Sequence, residues 1–262
     1  MKNIRILVLI LCACFVSVAW GEQLTCPADT PWGQFHRYNT QRWNRCEKVL
    51  NVKNVGRLQL KWSYAVVGSS CLFGSPCVSS PVVANGVVYV AGPNDVYALN
   101  ASTGALLWSA PFGGGSSPAV ANGVVYVGSD NYPGKVYALN AKSGALLWSH
   151  ATGVAPYSAP AVANGVVYVG SWDNNVYALN AKTGAKLWSF TTGSSVNSSP
   201  AVANGVVYVG SDDYNVYALN AKTGAKLWSY TTGSVVESSP AVANGVVYVG
   251  SDDGNVYAFG LK

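Results

Sequence analysis

Short apolar runs separated by turn residues cover the chain from residue 79 onward. A typical stretch reads SSPAVANGVVYVGSDDYNVYALNAKTGAKLWSY, where Asn-Gly, a polar loop and Thr-Gly separate four segments rich in Val, Tyr, Ala and Trp. Asn-Gly between two β-rich segments is a strong hairpin signal, because both turn residues must adopt positive φ. No window shows a helical period. The pattern therefore predicts four short antiparallel strands in such a stretch, which we label A to D.

This stretch recurs along the chain, and the tryptophan of its fourth strand marks the spacing. Trp108, Trp148, Trp188 and Trp228 lie 40 residues apart. A repeat of this length with four strands per copy is the signature of β-propeller blades, and one blade cannot bury both of its faces alone. We therefore predict an all-β fold, a five-bladed β-propeller of four-stranded antiparallel blades. The predicted blades lie near 79–115, 116–157, 158–197, 198–237 and 238–262.

The two ends of the repeat array predict how a ring would close. The fifth copy has strands A to C but no strand D, whereas residues 58–64, upstream of the first copy, have the pattern of an isolated strand D. Closing a ring removes exposed strand edges, which favour association. We therefore predict that residues 58–66 complete the last blade by pairing with residues 255–259, and that Trp62 docks between blades as the other four tryptophans do. The expected product is a monomer.

The first residues predict export. A basic start, an apolar run and small residues at Ala19 and Gly21 are typical of a secretory signal peptide with cleavage before Glu22. The alternatives are an uncleaved anchor and lipoprotein processing at Cys14, which is less favoured because an apolar stretch follows Cys14 directly. We predict a signal peptide at 1–21, a leading segment at 22–57 and the propeller at 58–262. The mature protein is then periplasmic or extracellular and has no transmembrane segment.

The predicted mature chain has four cysteines, and an even number in an exported protein favours disulfides. Of the three ways to pair them, Cys26 with Cys46 and Cys71 with Cys77 are favoured, because each pair closes a loop within one irregular segment. A metal site is the rival interpretation. It is disfavoured because neither spacing is CxxC and the chain has only two histidines.

Charge narrows the classes of partner. Charged residues make up 10% of the chain, and the formal net charge is +5, with much of the positive excess between residues 37 and 61. An excess this weak and this local does not fit a nucleic-acid-binding surface. We therefore predict no nucleic-acid partner.

The stretch ALNAKTGAKLW, from Ala218 to Trp228, resembles the tryptophan-docking repeat of the quinoprotein-like (PQQ-repeat) β-propellers, Ala-x-Asp-x-x-Thr-Gly-x-x-x-Trp. It recurs from Ala98, Ala138 and Ala178, with Asn in place of the usual Asp. The resemblance is specific for the fold and much less so for function, since one fold hosts many activities. It implies structural roles between blades for Trp62, Trp108, Trp148, Trp188 and Trp228.

The same resemblance carries an enzymatic alternative. Members of the family that are enzymes are dehydrogenases that use pyrroloquinoline quinone (PQQ) and calcium, and they usually have eight blades. Many carry an adjacent Cys-Cys pair, a catalytic Asp and a Glu/Asn/Asp calcium set. This sequence has no adjacent cysteines, and no position matches the other residues by motif. We therefore predict no catalytic residue, metal or cofactor, and keep a PQQ- and calcium-dependent alcohol or sugar dehydrogenase as the alternative.

The copies differ most in two loops, the loop between strands B and C and the link from strand D to the next strand A. In a four-stranded blade both emerge on one face, and here they combine carboxylates, amides and aromatic rings, which suits a binding site. Drift in tolerant loops is the alternative. We predict a non-catalytic binding or scaffold protein with a protein or glycan partner, like the family's scaffold lipoprotein of outer-membrane barrel assembly. The candidate ligand-face residues are Asp95, Asp130, Tyr157, Trp172, Asp173, Asn197, Asp212, Asp213, Tyr214, Glu237, Asp252 and Asp253.

Overall fold

The structure is a computed structural model, and it describes residues 49–66, 78–114, 116–129 and 132–261. Three predictions fall outside these ranges, namely the signal peptide with its alternatives, both disulfides and the candidate residue Asp130. The described ranges contain one helical segment, the short 3-10 turn Val55–Arg57. No helix in them is long and apolar enough to cross a bilayer.

Nineteen strands form five antiparallel sheets that follow one another along the chain. The first sheet contains β1 (Val82–Ala84), β2 (Val87–Ala91), β3 (Val96–Asn100) and β4 (Leu106–Ala110). The second contains β5 (Ala119–Ala121), β6 (Val124–Ser129), β7 (Gly134–Asn140) and β8 (Leu146–Gly153). The third contains β9 (Ala161–Ala163), β10 (Val166–Gly170), β11 (Asn175–Asn180) and β12 (Lys186–Thr191). The fourth contains β13 (Ala201–Ala203), β14 (Val206–Gly210), β15 (Asn215–Asn220) and β16 (Lys226–Thr231). The fifth contains β17 (Ala241–Ala243), β18 (Val246–Gly250) and β19 (Val256–Gly260). The predicted all-β fold of five repeated antiparallel blades is therefore confirmed.

The turns inside a blade form as the sequence predicts. In the fourth blade, Asn204 and Gly205 have φ of 48° and 77°, and this tight turn sets the register of β13 against β14. In the second turn the Asn220 side chain accepts hydrogen bonds from the backbone N–H groups of Lys222 and Thr223, at 2.9 and 3.0 Å. The Asn that replaces the family's usual Asp therefore still caps this turn.

The fourth-strand tryptophans of the first three blades, Trp108, Trp148 and Trp188, each pack on the second turn of the next blade. The indole N–H of Trp188 donates to the Ala221 carbonyl oxygen at 3.0 Å, and the Tyr168 hydroxyl donates to the same oxygen at 3.1 Å. A Cβ atom on Gly224 would lie 2.7 Å from the ring of Trp188, so only glycine allows this close approach. Trp108 and Trp148 repeat the arrangement on the second and third blades. These contacts fill the space between successive blades with a buried apolar layer.

The segment before the first blade makes the same contact. The indole N–H of Trp62 donates to the Ala101 carbonyl oxygen at 3.1 Å, and the Trp62 ring lies against Gly104. Tyr64 and Val66 pack beside it on an apolar cluster of the first blade. Residues 58–66 therefore lie on the first blade where the fourth strand of a preceding blade would lie.

The predicted closure of the ring is not confirmed. Strand β19 pairs with β18 alone, and no backbone pairing joins it to residues 58–64, which are not in a strand. The first strands of successive blades touch from β1 through β5, β9 and β13 to β17, but the described residues show no comparable contact between β17 and β1. Within the described residues the five blades therefore form an open arc, with the outer edge of β19 unpaired.

Candidate functional site

The B–C loops and the D–A links meet at one end of the blades. The backbone N–H of Val196 donates to the Ser171 carbonyl oxygen at 3.0 Å, and the N–H of Asp212 donates to the Ser195 carbonyl oxygen at 2.9 Å. Equivalent bonds join the fourth blade to the fifth. Each B–C loop is thereby tied to the link of the preceding blade. We call the resulting surface the loop face; in the last three blades it comprises residues 154–158, 171–175, 192–198, 211–215, 232–238 and 251–255.

Three of the candidate aspartates are fully engaged in holding this surface together. Asp213 accepts hydrogen bonds from the Tyr217 hydroxyl at 2.6 Å, the Gly193 N–H at 2.6 Å and the Asn215 N–H at 3.0 Å. Partial burial alone would raise the pKa of Asp213, but these hydrogen bonds outweigh it and lower the pKa. Asp173 and Asp253 accept the corresponding tyrosine hydroxyls at 2.5 and 2.6 Å. Asp213 and Asp253 thereby join a B–C loop to the preceding link, whereas Asp173 is held within its own blade by Asn175 and Tyr177.

Two further candidates lie apart from the rest. Asp95, in the shorter loop of the first blade, is 3.5 Å from the Tyr97 hydroxyl that donates to it. Tyr214 has a φ of 72° at the turn position that Asn174 and Gly254 occupy in the neighbouring blades. A bulky side chain rarely adopts this conformation, so Tyr214 stands on a strained turn with its ring 47% exposed. Neither residue joins the cluster described next.

Five candidates form one connected group, which we call the polar–aromatic cluster: Tyr157, Trp172, Asn197, Asp212 and Glu237. The rings of Tyr157 and Trp172 are 4.4 Å apart, and the indole N–H of Trp172 donates to the Asn197 side-chain oxygen. The Asn197 side-chain nitrogen then donates to Asp212 at 3.0 Å and to Glu237 at 3.4 Å. The exposed indole of Trp172 and the half-buried ring of Tyr157 are thereby linked through one amide to two carboxylates, one in the B–C loop of the fourth blade and one in the link to the fifth.

The carboxylate of Asp212 is the least satisfied group of this cluster. Its Oδ1 atom is buried and has no hydrogen-bond partner among the described residues. Burial raises the pKa of Asp212, and the nearby charges of Glu237, Asp213 and Asp252 raise it further, against the opposing effect of the Asn197 hydrogen bond. A buried acceptor without a donor is costly, so Asp212 is a point of local instability in the loop face.

The cluster does not fit the calcium and PQQ of the enzymes in this family. Calcium takes six to eight oxygen ligands, whereas Asn197 places an N–H donor, not an oxygen, between the two carboxylates. No group of three or more His, Cys, Asp or Glu side chains within the described ranges could hold a metal ion. PQQ is itself a carboxylate-rich anion, and the three acidic side chains of Asp212, Glu237 and Asp252 would repel it.

The sequence could not separate these three hydrogen-bonded aspartates from the cluster. The sequence does contain one pattern that sets these aspartates apart. Asp173, Asp213 and Asp253 recur in three copies, each with a tyrosine four residues later. Positions 172, 212 and 252 vary between copies, as do positions 157, 197 and 237. Repeated residues maintain the blade, and residues that vary between blades occupy the exposed part of the loop face.

Stacked four-stranded blades, docked tryptophans and a variable loop face define a β-propeller built from PQQ-type repeats. A family model described as "Outer membrane protein assembly factor BamB" matches residues 59–159 and 133–262. The chain therefore belongs to this family of PQQ-repeat propellers. No protein with a curated description matches the sequence.

Solved structures share the fold. BamB from Moraxella catarrhalis is 24% identical, with a TM-score of 0.57 over 66% of this chain and 57% of that one. Quinohemoprotein alcohol dehydrogenase ADHIIG from Pseudomonas putida HK5 is 24% identical, with a TM-score of 0.72 over 88% of this chain and 46% of that one. The quinohemoprotein alcohol dehydrogenase from Comamonas testosteroni is 19% identical, with a TM-score of 0.69 over 88% and 47%. The chain spans about half the length of these proteins.

Proposed function

We propose that this chain is an exported, non-catalytic binding scaffold whose loop face holds a protein partner. The observation that carries the proposal is the polar–aromatic cluster, which presents the exposed indole of Trp172, packed beside Tyr157, next to the carboxylates of Asp212 and Glu237. Membership of a family described by an outer-membrane assembly factor supports a scaffold role. The signal-peptide pattern of residues 1–21 supports export to the periplasm or the cell exterior.

The chemistry of the cluster favours a partner that brings hydrogen-bond donors. Asp212 and Glu237 both accept from Asn197, and the charge of Asp252 adds to theirs, so this part of the face is anionic. An arginine or lysine side chain would pair with the exposed carboxylate of Glu237 and neutralise the cluster. Its apolar stem would pack on Trp172, which is 40% exposed. We therefore propose a partner segment rich in basic residues.

The test compares the unaltered chain with a charge-reversed variant, Asp212→Lys with Glu237→Lys. Both proteins are immobilised and exposed to an envelope extract, and captured proteins are identified after chemical crosslinking. We expect a defined partner that is crosslinked near the cluster and lost with the variant. The matched control, Lys182→Glu with Lys222→Glu, reverses two charges on turns at the other end of the blades and should retain the partner. Equal capture by all three proteins would refute a role for the loop face. Recovery of a glycan without any protein would show that the partner is a glycan and not a protein.

Similarity in fold to the two alcohol dehydrogenases over 88% of this chain favours a second candidate, a PQQ-dependent oxidation. It is tested by adding PQQ and calcium to the purified protein and following alcohol- or sugar-dependent dye reduction. We expect no bound chromophore and no turnover above that of free PQQ. Turnover that follows the protein concentration would establish the enzyme and overturn the scaffold proposal.

A further inference from the structure

Each end of the blade array carries an incomplete copy of the interface that joins the blades. Among the described residues no strand pairs with the outer edge of β19, and residues 58–66 occupy on the first blade the place of a fourth strand from a preceding blade. We propose that the β19 edge of one copy pairs with residues 58–66 of a second copy, so that the chain self-associates head to tail. This inference concerns the ends of the arc and does not depend on the function proposed for the loop face.

The outer edge of β19 has the side chains of a covered strand. Val256 is 80% exposed, whereas its counterparts in the other four blades are fully buried. The neighbouring groove is lined by Trp228, Phe259 and Leu261, and Leu261 is fully exposed. An exposed apolar edge strand is a template for pairing with another strand. The counterparts of Val256 are Val96, Val136, Val176 and Val216.

Residues 58–66 offer the matching surface. Trp62 is docked on the first blade, but Leu58 and Leu60 are 61% and 85% exposed. In the fourth blade Ala218 lies opposite Trp228, and Tyr217 lies opposite Ser229.

The same register would place Ala258 opposite Trp62 and Tyr257 opposite Ser63, because residues 61–64 read KWSY and residues 227–230 read LWSY. Leu58 would then stand in the position of Gly224, at the turn on which the preceding tryptophan docks. In the fifth blade that tryptophan is Trp228. Because a Cβ at this position would lie 2.7 Å from a ring docked as Trp188 is, Trp228 would pack on the Leu58 side chain with its ring displaced from the Trp188 geometry.

The described arrangement favours a second copy over the same chain. The inter-blade hydrogen bonds from the Ala159 N–H to Ser199 Oγ and from the Ser199 N–H to Ser239 Oγ, at 2.9 and 3.1 Å, are made while β19 is not paired with residues 58–66 of its own chain. Pairing within the chain would require this arrangement to change. A second copy meets both ends with all of these bonds kept. The contact is heterologous, so copies can add in series, in contrast to the monomer expected from intramolecular closure.

The test uses the whole chain and one variant at each end. Val256→Lys places a charge that the open edge tolerates but a covered edge cannot bury. Leu58→Asp does the same on the other surface, because the register places residue 58 against Trp228. Leu187→Lys is the control, since Leu187 is 51% exposed on the third blade, away from both ends. Mass in solution is measured by sedimentation over a hundredfold range of protein concentration.

We expect the unaltered chain and Leu187→Lys to grow in mass with concentration. Val256→Lys and Leu58→Asp should each self-associate at least tenfold more weakly. Mixing these two variants should restore a discrete dimer, because one retains a competent N-terminal surface and the other a competent β19 edge. A monomeric unaltered chain at all concentrations would overturn the proposal. So would a mixture that stays monomeric, or a Val256→Lys variant that melts earlier without any change in mass, which would indicate closure within one chain.

Discussion

Trp188 and Trp228 lie in the same local sequence but in two different environments. Trp188 lies between the third and fourth blades, and Trp228 lies on the side of the fourth blade that faces the three-stranded fifth blade. Trp188 is 8% exposed and bonded to the Ala221 carbonyl oxygen, whereas Trp228, in the same AKLWS context, is 39% exposed. The indole N–H of Trp228 has no hydrogen-bond partner among the described residues, and its ring lies 4.8 Å from that of Phe259. The burial of a blade tryptophan therefore depends on the turn of the next blade and not on its own strand.

The largest expected difference comes from truncating these two tryptophans. Trp188→Ala should lower the free energy of unfolding by about 3–5 kcal/mol, since it empties a buried layer between blades. Trp228→Ala should cost about 1 kcal/mol, because much of that ring is already in solvent. Urea unfolding at low protein concentration measures both values. Equal losses would contradict the distinction between covered and open tryptophans.

The second prediction tests whether the turn glycine is required by the ring that packs on it. Gly224 and Gly205 have similar φ of 74° and 77°, but only at Gly224 would a Cβ meet a neighbour, the Trp188 ring at 2.7 Å. Alanine at either position should cost about 1–2 kcal/mol for the left-handed backbone. Gly224→Ala should cost a further ~1–3 kcal/mol from overpacking. If the two variants melt alike in thermal unfolding, the ring imposes no constraint.

The loop face provides a comparison of two adjacent carboxylates. The pKa of Asp213 is lowered in the folded state, so its stabilisation is present at neutral pH and is lost as pH falls through that lowered pKa. Asp213→Asn should therefore destabilise by about 1–2 kcal/mol at pH 7, through weakened hydrogen bonds.

The pKa of Asp212 is raised, so its ionised form opposes folding at pH 7. Asp212→Asn should raise Tm by about 1–2 °C at pH 7, and this gain should vanish as pH falls through the folded pKa toward the unfolded one. Measuring the Tm of the unaltered chain and of both variants from pH 3 to pH 8 tests the predicted loss of stability in Asp213→Asn and the predicted gain in Asp212→Asn. A loss of stability in Asp212→Asn at pH 7 would show that the carboxylate is satisfied.

The smallest expected effect concerns the tyrosine beside each docked tryptophan. The Tyr168 hydroxyl donates to Ala221 at 3.1 Å, whereas Tyr248, its counterpart in the fifth blade, is 41% exposed. Tyr168→Phe should cost about 1 kcal/mol for the lost buried hydrogen bond, and Tyr248→Phe should be near neutral. Matched urea titrations of the two variants compare them directly. A larger effect at Tyr248 would indicate that the fifth blade is covered.

Local features were predictable from the sequence because they depend on a few neighbouring residues. The Asn204–Gly205 turn and the docking of Trp188 on Gly224 follow from turn chemistry and from a fixed repeat. The closure of the array did not follow, because curvature accumulates from a small rotation at each blade interface and no local pattern encodes it. Asp212 and Asp213 could not be told apart for a similar reason. They are identical adjacent residues, and only the three-dimensional positions of Tyr217 and Asn197 decide which one is satisfied.

The most direct test of this account is the hydrogen-exchange rate of the indole N–H groups, measured by NMR in the Val256→Lys variant at low concentration. The account predicts slow exchange for Trp108, Trp148 and Trp188, whose N–H groups are bonded to carbonyl oxygens of the next blade. It predicts exchange close to that of free indole for Trp228, assigned by Trp228→Phe. If Trp228 is protected as strongly as Trp188 in a monomer, the fifth blade is closed within one chain and the open arc is wrong.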